Sequence, residues 1–142
     1  MISSRDVDDL LPHVADLARV FVAHAKDAGI DLIVYSTYRD AEAQDALYDQ
    51  GRTAPGRIVT NARGGESFHN YGLAFDVVPI VGGKLVWSAS DPVWRHIIKI
   101  GTDLGLESGA NWNTLKDVDH FQWRGGLTLA QLQAGERPTE VA

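Results

Sequence analysis

The stretch Ser67-Phe68-His69-Asn70-Tyr71-Gly72-Leu73-Ala74-Phe75-Asp76 decides how the rest of the chain is organised. Its last residues enter an apolar run, 74–78, that is typical of a buried strand. An isolated carboxylate in such a strand is very costly, so Asp76 needs a compensating charge or several hydrogen bonds. A turn at Tyr71-Gly72 would fold His69 toward Asp76. From spacing alone, a salt-bridged core aspartate and half of a metal site remain equally good interpretations.

A second segment, Asp117-Val118-Asp119-His120-Phe121-Gln122-Trp123, places another histidine in a strand-like run. Together, His69, Asp76 and His120 form the donor set of a catalytic zinc ion, which takes three protein ligands and leaves one position for water. The chain contains no cysteine, so a transition metal must be held by nitrogen and oxygen. A non-haem iron oxygenase uses the same donor types. That class usually has its first histidine and carboxylate nearly adjacent, which disfavours it here.

Composition excludes several functional classes. The 142 residues, 44% hydrophobic and 23% charged, predict a single globular domain over 1–142. The formal net charge of -6 argues against nonspecific binding to nucleic acid and against stable binding to anionic membranes. The N-terminus lacks the basic and apolar segments of a signal peptide, and we find no apolar run long enough to span a bilayer.

Hydrophobic periodicity predicts an α+β fold, with helices packed on a small, mainly antiparallel sheet that carries the metal site. Residues 30–38 read as a central strand, and Asp40 is a good cap for the helix that follows. The other predicted elements are helices at 12–28, after 91–92 and at 127–132, and strands at 73–81, 85–87 and 118–123.

Three motifs in order carry a family resemblance. They are Ser36-Thr37-Tyr38-Arg39-Asp40-x-x-x-Gln44-x-x-Leu47-Tyr48-x-x-Gly51, then Ser67-x-His69-x-x-Gly72-x-Ala74-x-Asp76, then Asp117-x-x-His120. This pattern resembles the VanY-type family of zinc peptidases, which includes D-alanyl-D-alanine carboxypeptidases and phage L-alanyl-D-glutamate endolysins. The resemblance spans most of the chain, and three motifs in the correct order are far more specific than any one alone.

The resemblance implies that His69, Asp76 and His120 bind Zn²⁺ and that Asp117 is the catalytic base. Many family members have glutamate at the position of Asp117. Arg39 is a candidate for binding a substrate carboxylate or stabilising an oxyanion, with an exposed surface arginine as the alternative. Ser67 is a candidate for binding the substrate backbone, or for holding the loop of His69.

Further expectations concern neighbouring residues. We expect Asp119 to lie in an outer shell or in solvent. Tyr71 and Trp112 are candidates for the cleft wall or for the core.

The predicted function is hydrolysis of the L-Ala–D-Glu amide bond in the peptidoglycan stem peptide by a zinc-activated water. The alternatives are a D-alanyl-D-alanine carboxypeptidase and a noncatalytic cell-wall-binding module. The resemblance to phage endolysins implies a monomer made in the host cytoplasm without a signal peptide. It would act on the cell wall in the periplasm after release by a holin-type partner.

Overall fold

The computed structural model describes residues 1–113 and 115–139. It contains helices α1 (Pro12–Asp27), α2 (Ala41–Asp49), α3 (Val93–Asp103) and α4 (Leu129–Gln133), and strands β1 (Asp31–Ser36), β2 (Ala74–Val81), β3 (Lys84–Leu85), β4 (Glu107–Ser108) and β5 (His120–Gln122). All the strand pairs are antiparallel. The predicted α+β class is therefore confirmed, whereas the C-terminal limit of the predicted domain, at residue 142, lies outside the described residues.

The sheet has the order β1-β2-β5-β4, with β3 added to the far end of β2. The prediction that 30–38 forms a central strand is wrong, because β1 lies at an edge and pairs only with β2 among the described strands. Its side chains alternate between the core and solvent, with Leu32 buried and Ile33 39% exposed. The central strand is β2, which is buried continuously from Ala74 to Pro79.

Helices α1 and α3 cover one face of the sheet. Phe21 of α1 packs edge-on against Phe121 of β5, with ring centroids 4.8 Å apart. Gly101 lets α3 approach the same ring, because a Cβ at this position would lie 2.6 Å from Cε1 of Phe121. Side chains alternate along a strand, so Phe75 and Phe121 point into this core while Asp76 and His120 point to the opposite face.

The N-terminal segment, residues 2–6, is bound to the segment that follows β1. The amide of Ser4 donates to the carbonyl of Tyr38 at 2.8 Å, and the amide of Thr37 donates to the carbonyl of Ser4 at 2.9 Å. The amide of Asp40 in turn donates to the carbonyl of Ile2 at 2.9 Å. These bonds fix residues 37–40, which lead into α2 and contact the polar face of the sheet.

Asp40 caps α2 as predicted, since its side chain accepts a hydrogen bond from the amide of Ala43. Within the described part of the chain, no helix combines the length and the apolar character needed to cross a membrane.

Candidate metal centre

Three buried side chains meet on the polar face of the sheet. The Nε2 atom of His69 lies 3.3 Å from Oδ2 of Asp76, and the Nδ1 atom of His120 lies 3.5 Å from Oδ1 of Asp76. One ligand atom from each residue lies within 4.8 Å of the others. Asp76 and His120 are directly paired across β2 and β5, so the sheet register brings them together.

His69 is positioned by a short 3-10 turn at Phe68–Tyr71. The turn ends at Gly72, whose φ of 69° lies in the left-handed region and turns the chain back into β2. The Nδ1 atom of His69 lies 2.7 Å from the carbonyl oxygen of Thr37. A carbonyl can only accept, so Nδ1 carries the proton and the lone pair of Nε2 faces Asp76.

The neutral ring of His120 carries its proton on Nε2, the opposite nitrogen to that of His69. Its Nε2 atom lies 2.8 Å from Oε1 of Gln122, while the side-chain amide of Gln122 donates to Oε2 of Glu107 at 3.3 Å. The contact with Glu107 orients the amide of Gln122, so that its oxygen accepts the proton from Nε2 of His120. The lone pair on Nδ1 of His120 is then directed at Asp76.

The charge of Asp76 is balanced by its neighbours. Burial alone raises the pKa of a carboxyl group, but the positive charge available on His69 and His120 outweighs this and holds the pKa of Asp76 well below its usual range. Burial likewise favours neutral His120, yet the nearby carboxylate of Asp76 raises the pKa of this imidazole. Oδ1 of Asp76 is buried without a hydrogen-bond partner among the described residues. Such a group is costly unless something else binds it.

Arg39 lies beside this cluster and is not an exposed surface residue. Its side chain is 12% exposed, and Nη2 lies 3.8 Å from Oδ2 of Asp76. Nη1 donates to Oε1 of Gln44 at 2.8 Å, and Nη2 donates to Oγ of Ser36 at 3.2 Å. Burial lowers the pKa of Arg39 and the charge of Asp76 opposes this effect. The guanidinium group is therefore built into the site next to Asp76.

The two aspartates before β5 have different surroundings. Burial, followed by the charge of Asp76, raises the pKa of Asp117, which places this carboxyl group within the electrostatic reach of the cluster. The backbone amide of Asp117 donates to the carbonyl of Gly109 at 3.0 Å. The backbone of Asp117 lies so close to Gly109 that a Cβ on this glycine would be 2.3 Å from the Asp117 carbonyl oxygen.

Asp119 accepts a hydrogen bond of 2.6 Å from the hydroxyl of Tyr35. Burial raises the pKa of Asp119 to about 6 despite this bond. Asp119 therefore lies in the surroundings of the cluster and is bonded to protein rather than free in solvent.

Other predicted residues have structural contacts. Ser67 caps the 3-10 turn by accepting from the amide of His69 at 3.2 Å, so it does hold the loop of His69, and its binding to substrate remains a prediction. Tyr71 donates to the carbonyl of Gly65 at 2.7 Å and packs at the margin of the core. Trp112 is 37% exposed and its ring lies 4.7 Å from that of His120, which places it at the open side of the cluster.

Four supporting residues were missed from the sequence. Thr37, Gln122, Gln44 and Tyr35 each contact a site side chain. Thr37 and Gln44 stand in the first of the three motifs, but the sequence assigns them no role there. For Gln122 the available signal is position, since it follows His120 by two residues and therefore lies on the same face of a strand.

The arrangement can hold a divalent transition metal. Bonds of about 2 Å to a tetrahedral ion place ligand atoms about 3.3 Å apart, which matches the separations of the two histidines from Asp76. Each imidazole has its other nitrogen bonded to the protein, as metal-binding histidines generally do. The unpartnered oxygen of Asp76 also fits a ligand atom. These residues fit zinc.

Comparison with known proteins identifies a family and named relatives. Residues 8–108 match the family model described as VanY: D-alanyl-D-alanine carboxypeptidase. The peptidoglycan L-alanyl-D-glutamate endopeptidase CwlK of Bacillus subtilis (strain 168) is 40% identical over 124 residues, which cover 80% of this chain and 73% of CwlK. The L-alanyl-D-glutamate peptidase of Listeria phage A118 is 28% identical over 123 residues, covering 85% of this chain but 40% of the phage protein.

The fold is also similar to that of a solved structure. The crystal structure of the L-Ala D-Glu endopeptidase ChiX of Serratia marcescens superposes with a TM-score of 0.63 at 21% sequence identity, covering 93% of this chain and 92% of ChiX. At this identity the likeness concerns the fold alone.

Replacing Gln122 with methionine tests the role of the supporting shell. The Gln122→Met variant keeps the side-chain length but removes the acceptor for Nε2 of His120, so the imidazole loses its fixed tautomer. We expect the dissociation constant for Zn²⁺ to rise about 10- to 100-fold, measured by competition with a chromogenic chelator. Gln133→Met, at an exposed position, is the matched control. Equal zinc affinity in the two variants would contradict the assigned role of Gln122.

Proposed function

Because the chain belongs to the VanY family of D-alanyl-D-alanine carboxypeptidases, we propose that it is a zinc-dependent peptidoglycan endopeptidase that hydrolyses the L-Ala–D-Glu bond of the stem peptide. The observation that carries this proposal is the buried cluster of His69, Asp76 and His120. It occurs in a chain that is 40% identical to the L-alanyl-D-glutamate endopeptidase CwlK.

In this proposal Zn²⁺ is held by Nε2 of His69, Nδ1 of His120 and the carboxylate of Asp76. A zinc ion in such a site lowers the pKa of a bound water to about 7 and polarises a carbonyl group. In the neutral imidazoles, the hydrogen bonds to Thr37 and Gln122 place the ring protons away from the coordinating nitrogens and hold the rings in place. Three protein ligands would leave a coordination position for water.

Asp117 is the proposed general base. Its carboxylate accepts the proton of the attacking water and then delivers this proton to the nitrogen of the leaving D-Glu residue. Burial and the charge of Asp76 raise its pKa, which makes Asp117 a stronger base than an exposed aspartate. The short 3-10 turn at Gly109–Asn111 and the hydrogen bond to Gly109 fix the backbone that presents it.

Arg39 is proposed to act from beside Asp76. Its buried guanidinium group adds positive charge where negative charge develops on the substrate carbonyl oxygen, and it also helps to balance Asp76. Since both Nη atoms already donate to Gln44 and Ser36, the group is held in a fixed orientation. Its direct participation in catalysis remains a prediction.

The family description itself raises a second candidate, a D-alanyl-D-alanine carboxypeptidase. Such an enzyme would use the same metal centre but would require a free C-terminal carboxylate. The endopeptidase is preferred because CwlK and the phage A118 protein are both described as L-alanyl-D-glutamate peptidases. A noncatalytic wall-binding module is less compatible with a family of peptidases and with the presence of Asp117 beside a complete ligand set.

The biological setting is proposed on the similarity to the phage A118 protein. In this setting the chain is a monomeric endolysin made in a host cytoplasm. It reaches the cell wall after a holin-type partner opens the membrane.

Digestion of purified peptidoglycan tests the bond that is cut. The zinc-loaded protein is expected to release peptides with a new N-terminal D-Glu and to leave L-Ala carboxyl ends on the glycan, as identified by mass spectrometry. Protein treated with a chelator is the control and should release nothing until Zn²⁺ is restored. Release of free D-Ala without new L-Ala carboxyl ends would favour the carboxypeptidase instead.

Replacing the proposed base separates catalysis from metal binding. Asp117→Ala is expected to lower the rate of hydrolysis by about 10²- to 10⁴-fold, because the variant lacks the carboxylate that accepts the proton of the attacking water. Zinc content, measured by elemental analysis, should remain near one ion per chain. Asp117→Asn is the matched variant that keeps the shape but not the base. Wild-type turnover in either variant would reject Asp117 as the base.

A further inference from the structure

A cavity of about 480 Å³ is lined by Asp76, one of the three residues of the candidate metal centre. This volume lies within the range of about 300–1,000 Å³ that is typical of small-ligand sites. The cavity is lined by Asp76 and Arg39 of the site, by α2, and by residues of the N-terminal segment. A substrate that reacts at the metal centre therefore has space to extend toward residues 3–5.

Arg39 is poorly suited to bind a second carboxylate in this cavity. Its side chain is 12% exposed and lies 3.8 Å from Asp76. Both Nη atoms already donate hydrogen bonds within the protein. Nε is buried as well, so a new anion would have to compete with the carboxylate of Asp76 for a largely buried guanidinium group.

Arg5 is an exposed cation that lines the cavity, whereas the N-terminal ammonium of Met1, which also lines it, lies close to Asp40 and Glu42. Its guanidinium group has no hydrogen bond or ion pair with any residue in the described ranges. The nearest acidic residues in sequence are engaged elsewhere, since Asp6 accepts from the amide of Asp8 and Asp9 accepts from the hydroxyl of Ser4. The backbone of Arg5 follows Ser4, which is bound on both sides to residues 37–38. Arg5 thus presents a free charge from a fixed segment.

The chemistry of the proposed substrate needs such a charge. In an L-Ala–γ-D-Glu peptide, the carbon attached to the scissile nitrogen carries a free α-carboxylate. That anion enters a site containing Asp76, Asp117 and Asp119, in a chain with a formal net charge of -6. Asp76 is balanced within the cluster, and a further cation near the α-carboxylate would offset its repulsion by Asp117 and Asp119.

We propose that Arg5 binds the α-carboxylate of the D-Glu residue and thereby sets the preference of the enzyme for the acid over its amide. This role rests on the proposed endopeptidase function. A guanidinium group can form two parallel hydrogen bonds with a carboxylate, but it cannot pair in this way with a carboxamide. Arg5 is therefore a specificity-determining residue that touches the substrate, outside the machinery that breaks the bond.

The test compares two soluble peptides, L-Ala-γ-D-Glu-L-Lys and the same peptide with the D-Glu α-carboxylate converted to an amide. The wild-type enzyme is expected to show a kcat/KM for the acid that is roughly 10- to 100-fold higher than for the amide, which is the effect of one charge-assisted hydrogen-bonded pair. In Arg5→Ala this ratio should fall close to one, mainly through loss of activity on the acid. Arg5→Lys should keep part of the preference.

Arg95→Ala removes the same charge from an exposed position on α3, away from the cavity, and should keep the wild-type ratio. A wild-type ratio in Arg5→Ala, or an equal loss on both peptides, would overturn the role of Arg5 while leaving the endopeptidase function intact. Failure of the wild-type enzyme to cleave either peptide would overturn the proposed function and the role of Arg5 with it.

Discussion

The buried carboxylate of Asp76 is the constraint on which the site depends. A charge in the central strand of a sheet is tolerated only if its surroundings replace the water it has lost. Here two imidazoles lie within 3.5 Å and the guanidinium group of Arg39 within 3.8 Å. One oxygen of Asp76 still has no hydrogen-bond partner among the described residues, which leaves room in this network for a metal ion. The positions of the histidines and of Arg39 follow from this requirement.

Much of the fold could be predicted from local patterns. The stripe of apolar residues in α1, the cap at Asp40 and the run that forms β2 are determined by neighbours in sequence, and the structure contains all three. The order of the strands could not be predicted in this way. An edge strand and a central strand share the same β-rich composition, so composition alone predicts a central position for β1. Only the long-range pairing of β1 with β2 shows that β1 lies at an edge of the sheet.

The metal centre likewise has parts that the sequence predicts and parts that only long-range contacts determine. The residue types and their order identified His69, Asp76 and His120, and the structure brings them together. The groups that orient the two histidines could not be predicted from the sequence, because they are a carbonyl oxygen of Thr37 and the side-chain amide of Gln122. These groups occur throughout any protein, and only the folded arrangement selects them. The free charge of Arg5 is apparent only in the fold, where Arg39 is largely buried beside Asp76.

Zinc K-edge X-ray absorption spectroscopy tests the central claim, that His69, Asp76 and His120 hold the metal. The zinc-loaded protein should show nitrogen and oxygen ligands at about 2.0–2.2 Å, with the outer-shell scattering of two imidazoles. In His120→Ala this scattering should fall to that of one imidazole. A wild-type spectrum without imidazole scattering, or one unchanged in His120→Ala, would contradict the assignment.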